Sequence, residues 1–117
     1  MKVLIVDDDE SIRLLLRRMA TRSQMKSYEA ADGVEAVDIL ERKGHKIQAV
    51  ITDADMPRMD GFELLDHISQ RFPQMICALH SGREGVSHPR ADLIRIKPQG
   101  FNLMNELKAM TKDSNHN

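Results

Sequence analysis

With 117 residues, the chain is long enough for one domain around one core and too short for two. Its 30% charged residues and formal net charge of −1 lack the basic excess that grips nucleic acid, and its apolar runs fall short of the ~20 residues a membrane span requires. Met1 leads straight into a charged and then apolar stretch rather than a signal peptide, and the lone Cys77, set in MICALH, can make no internal disulfide, so a cytoplasmic chain with a buried structural thiol is expected.

Lys2 to Val6, KVLIV, is apolar, β-branched and too short for a helix, and it stops at Asp7, Asp8 and Asp9. It reads as a central strand buried on both faces, with Asp9 placed to cap the next helix. Ile12, Leu15, Leu16 and Met19 then predict an apolar helical face, largely opposite Arg13, Arg17, Arg18 and Arg22. Lys26 to Ala30, KSYEA, is polar enough for an edge strand. After Asp32 and Gly33, a helix over Val34 to Lys43 buries Ala36, Val37 and Leu40 and stops at Gly44. The third strand runs from Ile47 to Thr52, and Asp53 follows at its end, ahead of the breakers Pro57 and Gly61.

A helix over Phe62 to Phe72 shows Leu64, Leu65 and Ile68 at helical spacing and is cut off by Pro73, while Asp60 suits its start. Met75 to Leu79 is the fourth strand, leading to His80, Ser81 and Gly82, and Leu93 to Ile96 is the fifth, followed by Lys97 and Pro98. A last helix, roughly Asn102 to Met110, buries Leu103, Leu107 and Met110 ahead of a polar tail expected to fray, so that residues 1–112 make the domain and 113–117 the tail. Strands alternating with helices imply right-handed crossovers and a doubly wound α/β fold with a five-stranded parallel sheet, order 2-1-3-4-5.

That topology opens the carboxyl ends of strands one, three, four and five on one side of the sheet, where ligands bind in such folds. They deliver Asp7 and Asp8, Asp53, Ser81 and Lys97. Crowded carboxylates repel unless a cation sits among them, and a hard divalent ion such as Mg²⁺ suits their oxygens. Metal, ammonium and hydroxyl together complement a phosphoryl group, whose transfer depends on positioning and charge neutralisation, with one carboxylate as nucleophile.

VDDDESIR at 6 to 13, TDADMPRMDGFELL at 52 to 65, SG at 81 and 82 and KP at 97 and 98, in this order, resemble the receiver domain of two-component response regulators, the stand-alone chemotaxis type included. The resemblance implies a flavodoxin-like fold in which Asp53 accepts a phosphoryl group from a histidine kinase or phosphotransfer protein. Asp8 and Asp53 would bind Mg²⁺ through carboxylate oxygens, Asp55 through its backbone carbonyl, and Asp7 mainly through water. Lys97 would pair with the phosphoryl oxygens, Ser81 would move toward the new group, and a cis Lys97-Pro98 peptide would aim the lysine inward. Such a chain is a stoichiometric phosphoacceptor that catalyses its own phosphorylation and slow dephosphorylation, not an enzyme, and it signals to a protein target that the sequence does not name.

Two departures stand out. Gly85 and Pro89 within GREGVSHPRAD, residues 82 to 92, predict a loop or a single turn where family members carry a fourth helix. Ile94 occupies the place of the family's aromatic switch, and Phe101 is a candidate to fill the space of the frequent Phe after KP that Gln99 replaces. The leading expectation is a single-domain phosphorylation switch, and the alternative is a degenerate receiver that binds proteins without phosphorylation. Asp53-x-Asp55 also resembles superficially the nucleophile motif of haloacid dehalogenase phosphatases, which normally opens the chain. Arg83 is either solvated or a residue that tunes the lifetime of the acyl phosphate, and the five histidines show no zinc-ligand spacing.

Overall fold

The computed structural model describes residues 1–97 and 102–115, with side chains to residue 111. Five strands and four α-helices alternate as β1 (Lys2–Val6), α1 (Glu10–Arg22), β2 (Lys26–Ala30), α2 (Gly33–Lys43), β3 (Ala49–Thr52), α3 (Gly61–Arg71), β4 (Ile76–Ser81), β5 (Leu93–Ile96) and α4 (Leu103–Asn115). All four strand pairings are parallel and the order is β2-β1-β3-β4-β5, the doubly wound arrangement expected. The polar strand β2 takes one edge and β5 the other.

The strand alternation divides the core in two. Leu4, Val6, Val50, Cys77 and Leu79 meet Ala36 and Leu40 of α2 and Leu64, Leu65 and Ile68 of α3. Val3, Ile5, Ala49, Ile51 and Ala78 point the other way, onto Leu16 and Ala20 of α1 and Leu103, Met104 and Leu107 of α4. Each leucine or isoleucine so buried stabilises the fold by roughly 1.5–3 kcal/mol, which is why strands as short as four residues persist. Burial also pushes the Cys77 thiol up to about 12, so it stays protonated and inert.

Short-range chemistry sets the helix starts. The Asp9 side chain accepts from Ser11 N for α1, Asp32 from Glu35 N for α2, and Asp60 from Glu63 N for α3, where Glu63 reciprocates as a capping box. Leu15 departs from expectation: it is 46% exposed, because Ile12, Leu16, Met19 and Ala20 form the stripe that turns toward the sheet. The third strand begins at Ala49 rather than Ile47, since Gly44–Lys46 forms a turn of 3-10 helix that Ile47 closes. The fourth runs on through His80 to Ser81, and the last helix reaches Asn115 instead of fraying after Met110.

No helix is present between Ser81 and Leu93, as Gly85 and Pro89 predicted. Val86 and Ala91 cover the α2–α3 side of the core there, together with Ile94 of β5. His88 and Arg90 pin the far end of this crossover. His88 Nε2 lies 2.7 Å from Asp66 Oδ1 and its ring stacks near Phe62, while Arg90 reaches the carbonyls of Pro73 and Met75. Gly85, at φ 77°, takes the left-handed turn that a side chain would resist. The Lys97-Pro98 peptide, Gln99 and Phe101 lie wholly or partly outside the described residues.

Candidate functional site

Four strand ends build the site. β1 ends in Asp7 and Asp8 and β3 in Asp53, whose backbone N–H donates to Val6 O at 2.9 Å and ties the two ends together. β4 ends in Ser81, whose carbonyl accepts from Lys97 N at 2.8 Å and so fixes where the lysine leaves β5. Asp7, Asp53 and Ser81 are only 1%, 7% and 1% exposed, whereas Asp8 faces solvent.

The side chains of Asp7, Asp8, Asp53 and Lys97 come together. One oxygen each from Asp7, Asp8 and Asp53 lies within 4.8 Å of the others, the one such metal-capable cluster among the described residues. Lys97 Nζ bridges two of these carboxylates, 2.7 Å from Asp7 Oδ2 and 3.2 Å from Asp53 Oδ2. Asp7 Oδ1 accepts from Asp9 N and Asp53 Oδ1 from Ala54 N, while among the described residues Asp7 Oδ2 has the ion pair with Lys97 and no other partner.

Electrostatics follow from burial. Desolvation, reinforced by Asp7, holds the Asp53 carboxyl above its ordinary range, against the pull of Lys97. Burial works against the Lys97 ammonium too, yet Asp7 and Asp53 together outweigh it and hold its pKa above the usual lysine value. Three carboxylates facing one ammonium leave an excess of negative charge that a divalent cation would offset. The donors are all hard oxygens and Asp8 opens to water, which fits Mg²⁺, an ion that binds few carboxylates and keeps several waters.

Two side chains beside the cluster have partners of their own. The exposed Asp55 carboxylate makes a bidentate pair with Arg83, at 2.8 and 2.9 Å, so Arg83 is paired and not merely solvated. Ser81 Oγ accepts from Arg83 N at 3.0 Å. Arg13, noticed only as part of a polar helix face, donates to the Asp7 carbonyl at 2.6 Å. Its place one turn into the helix after the aspartates was the available signal.

His80 is the other residue whose place the sequence did not reveal. By strand alternation it shares a face and a row with Asp7 and Asp53; it is 3% exposed, and neither ring nitrogen has a hydrogen-bond partner among the described residues. Burial, then the nearby Lys97 charge, pushes its pKa below the ordinary 6.5 and keeps the ring neutral. A histidine held neutral in the fold contributes stability that is complete above its unfolded pKa and is lost as pH falls below it. Unfolding free energy should therefore fall below about pH 6.5 by up to ~1.4 kcal/mol per pH unit from this group. Urea titrations from pH 7.5 to 5 should show that slope in wild type and a shallower one in His80→Val.

The match to known proteins agrees with this geometry. A family model for the response regulator receiver domain matches residues 3–95. This chain belongs to the response regulator receiver family. Among relatives of this receiver, the two-component response regulator ARR10 of Arabidopsis thaliana is 33% identical over 104 residues, 84% of this chain and 19% of that one. The response regulator MprA of Mycobacterium sp. (strain KMS) is 33% identical over 92 residues, 79% of this chain and 39% of that one. The receiver thus spans a fifth to two fifths of these two relatives. The crystal structure of a CheX-CheY-BeF3-Mg complex from Borrelia burgdorferi superposes with a TM-score of 0.84 at 26% identity, covering 96% of this chain and 89% of that one. No helix among the described residues is long and apolar enough to cross a membrane.

Proposed function

We propose that this receiver accepts one phosphoryl group on Asp53 from the phosphohistidine of a histidine kinase or phosphotransfer protein, in a Mg²⁺-dependent reaction, and acts in the cytoplasm as a phosphorylation switch for a protein target. The observation that carries this is Lys97 bridging Asp7 and Asp53 beside Asp8, at the mouth of the parallel sheet. A solved relative that holds Mg and BeF3 supports it.

Asp8 and Asp53 would hold Mg²⁺ through carboxylate oxygens, the Asp55 carbonyl would add a third ligand, and Asp7 would act through a bound water. When bound, the ion supplies charge neutralisation for the phosphoryl oxygens. An Asp53 carboxylate oxygen attacks phosphorus, the P–N bond to the donor imidazole breaks, and the imidazole leaves with that electron pair. Ala54 N–H, donating to Oδ1 at 2.8 Å, orients the nucleophile. Lys97, already within reach of Asp53, pairs with a phosphoryl oxygen. Ser81 gives up the Arg83 N–H and turns its hydroxyl to the new group. The protein is consumed stoichiometrically, one group per chain, and returns by slow hydrolysis of the acyl phosphate.

Incubation with Mg²⁺ and a small phosphodonor such as phosphoramidate should add one phosphoryl group by intact mass. Asp53→Ala, or wild type with EDTA in excess, should gain none. A label that persists in Asp53→Ala would remove Asp53 as the acceptor.

A further inference from the structure

The loop between β3 and α3 is tied down at two places. At its base, Gly61 N donates to Ala54 O at 2.9 Å. At its tip, Met59 O accepts from Gly33 N at 3.0 Å, and a Cβ on Gly33 would lie 2.5 Å from Met59 Cγ and 2.7 Å from Met59 O, so α2 and the loop meet closely only because residue 33 is glycine. Arg58 secures the same junction. Its Nε donates to Asp32 Oδ2 at 2.7 Å and its Nη2 lies 3.7 Å from Glu35 Oε2.

Arg58 does this from an unfavourable backbone. Its φ is 65°, a left-handed conformation that a side chain disfavours and that persists only where the surroundings impose it. Asp32 is nearly buried and its two oxygens divide the work, with Oδ1 capping α2 through Glu35 N and Oδ2 holding the guanidinium. Between the two ties lies Asp55, whose side chain is held by Arg83 and whose carbonyl is the ligand proposed for Mg²⁺.

We propose that Arg58 is a positioning residue, which through its ion pair with Asp32 keeps the β3–α3 loop in the one conformation that presents the Asp55 carbonyl to Mg²⁺. This rests on the Mg²⁺-dependent reading above. Without the pair, the strain at residue 58 is free to relax and the carbonyl swings out of range, while Asp53, Lys97 and Ser81 keep their places. The consequence is weaker ion binding with unaltered chemistry once the ion is bound.

The test uses the full chain as wild type, Arg58→Met, Arg58→Lys, Asp32→Asn and the double variant. Asn keeps the cap oxygen for Glu35 N but loses the charge, so helix start and ion pair are separated. Half-saturating Mg²⁺ and the maximal rate of labelling by phosphoramidate are read separately, and Mg²⁺ binding is followed independently by the Ala54 amide resonance. Arg58→Met and Asp32→Asn should each raise half-saturating Mg²⁺ about tenfold, the scale of lost ligand support, with the rate at saturation unchanged. The double variant should be no worse than either single, and Arg58→Lys should recover part of the loss. Wild-type Mg²⁺ affinity in both single variants overturns the proposal, as does a fall in saturated rate that tracks lost stability in urea. If wild type binds Mg²⁺ but takes no phosphoryl group, the phosphoacceptor reading fails and the amide titration still decides the role of Arg58. If wild type binds no Mg²⁺, both fall.

Discussion

Gly61→Ala should destabilise the fold by about 3 kcal/mol, the upper end of what overpacking costs, and should disturb the turn after Asp53 with it. A Cβ there would lie 2.0 Å from Asp53 O and 3.0 Å from Ala54 Cα. Both are backbone atoms, so no rotamer change makes room. Relief requires moving the first turn of α3 away from the end of β3, which breaks the Gly61 N to Ala54 O bond and shifts Asp53. Gly82→Ala is the control, because a Cβ at Gly82 meets nothing within 4 Å among the described residues, and it should stay within about 0.5 kcal/mol of wild type. Urea unfolding of the three proteins checks both values, and a Gly61→Ala variant as stable as the control would show that the turn yields easily.

Replacing Lys97 with methionine should have the larger effect on chemistry. Asp7 and Asp53 would then face each other, buried, without the cation that bridges them. Breaking a buried pair from one side costs about 3 kcal/mol at neutral pH in the absence of metal. The pH dependence has a definite sign. The Asp53 carboxyl already sits above its usual range through burial and Asp7, and losing Lys97 raises it further. A carboxyl raised in the folded state opposes folding when ionised, so the deficit of Lys97→Met should shrink as pH falls through the folded pKa of Asp53. Millimolar Mg²⁺ should restore part of the lost stability at pH 8, one cation standing in for another. Labelling by phosphoramidate should still drop about 100-fold, since the ion does not replace a donor aimed at the phosphoryl oxygens. Thermal melts with and without Mg²⁺, paired with labelling rates, separate the two roles. A deficit relative to wild type that is the same at pH 5 and pH 8 would contradict the electrostatic account.

The elements were legible wherever neighbouring residues decide them. KVLIV stops at Asp7 because three successive carboxylates end the apolar run, Asp9, Asp32 and Asp60 cap the helices they precede, and Gly85 with Pro89 keeps the fourth crossover from coiling. Errors came where a partner lies far along the chain. Leu15 has the right spacing for burial, but the sheet is met by Leu16 and Ala20 on the neighbouring line of α1.

For the site, the sequence alone determined which side chains reach the carboxyl edge, because a strand's last residue and the parallel order suffice to put Asp7, Asp8, Asp53, Ser81 and Lys97 there. Only the tertiary structure decided how the rim is held: Arg83 on Asp55, Arg58 on Asp32, Arg13 on the Asp7 carbonyl, and His80 without a hydrogen-bond partner among the described residues, in the row of Asp53. The reason is one of range. Strand, cap and stop are set by interactions within about one helical turn, whereas a guanidinium finds its carboxylate 26 or 28 residues away only after the sheet has closed and brought the loops to one rim.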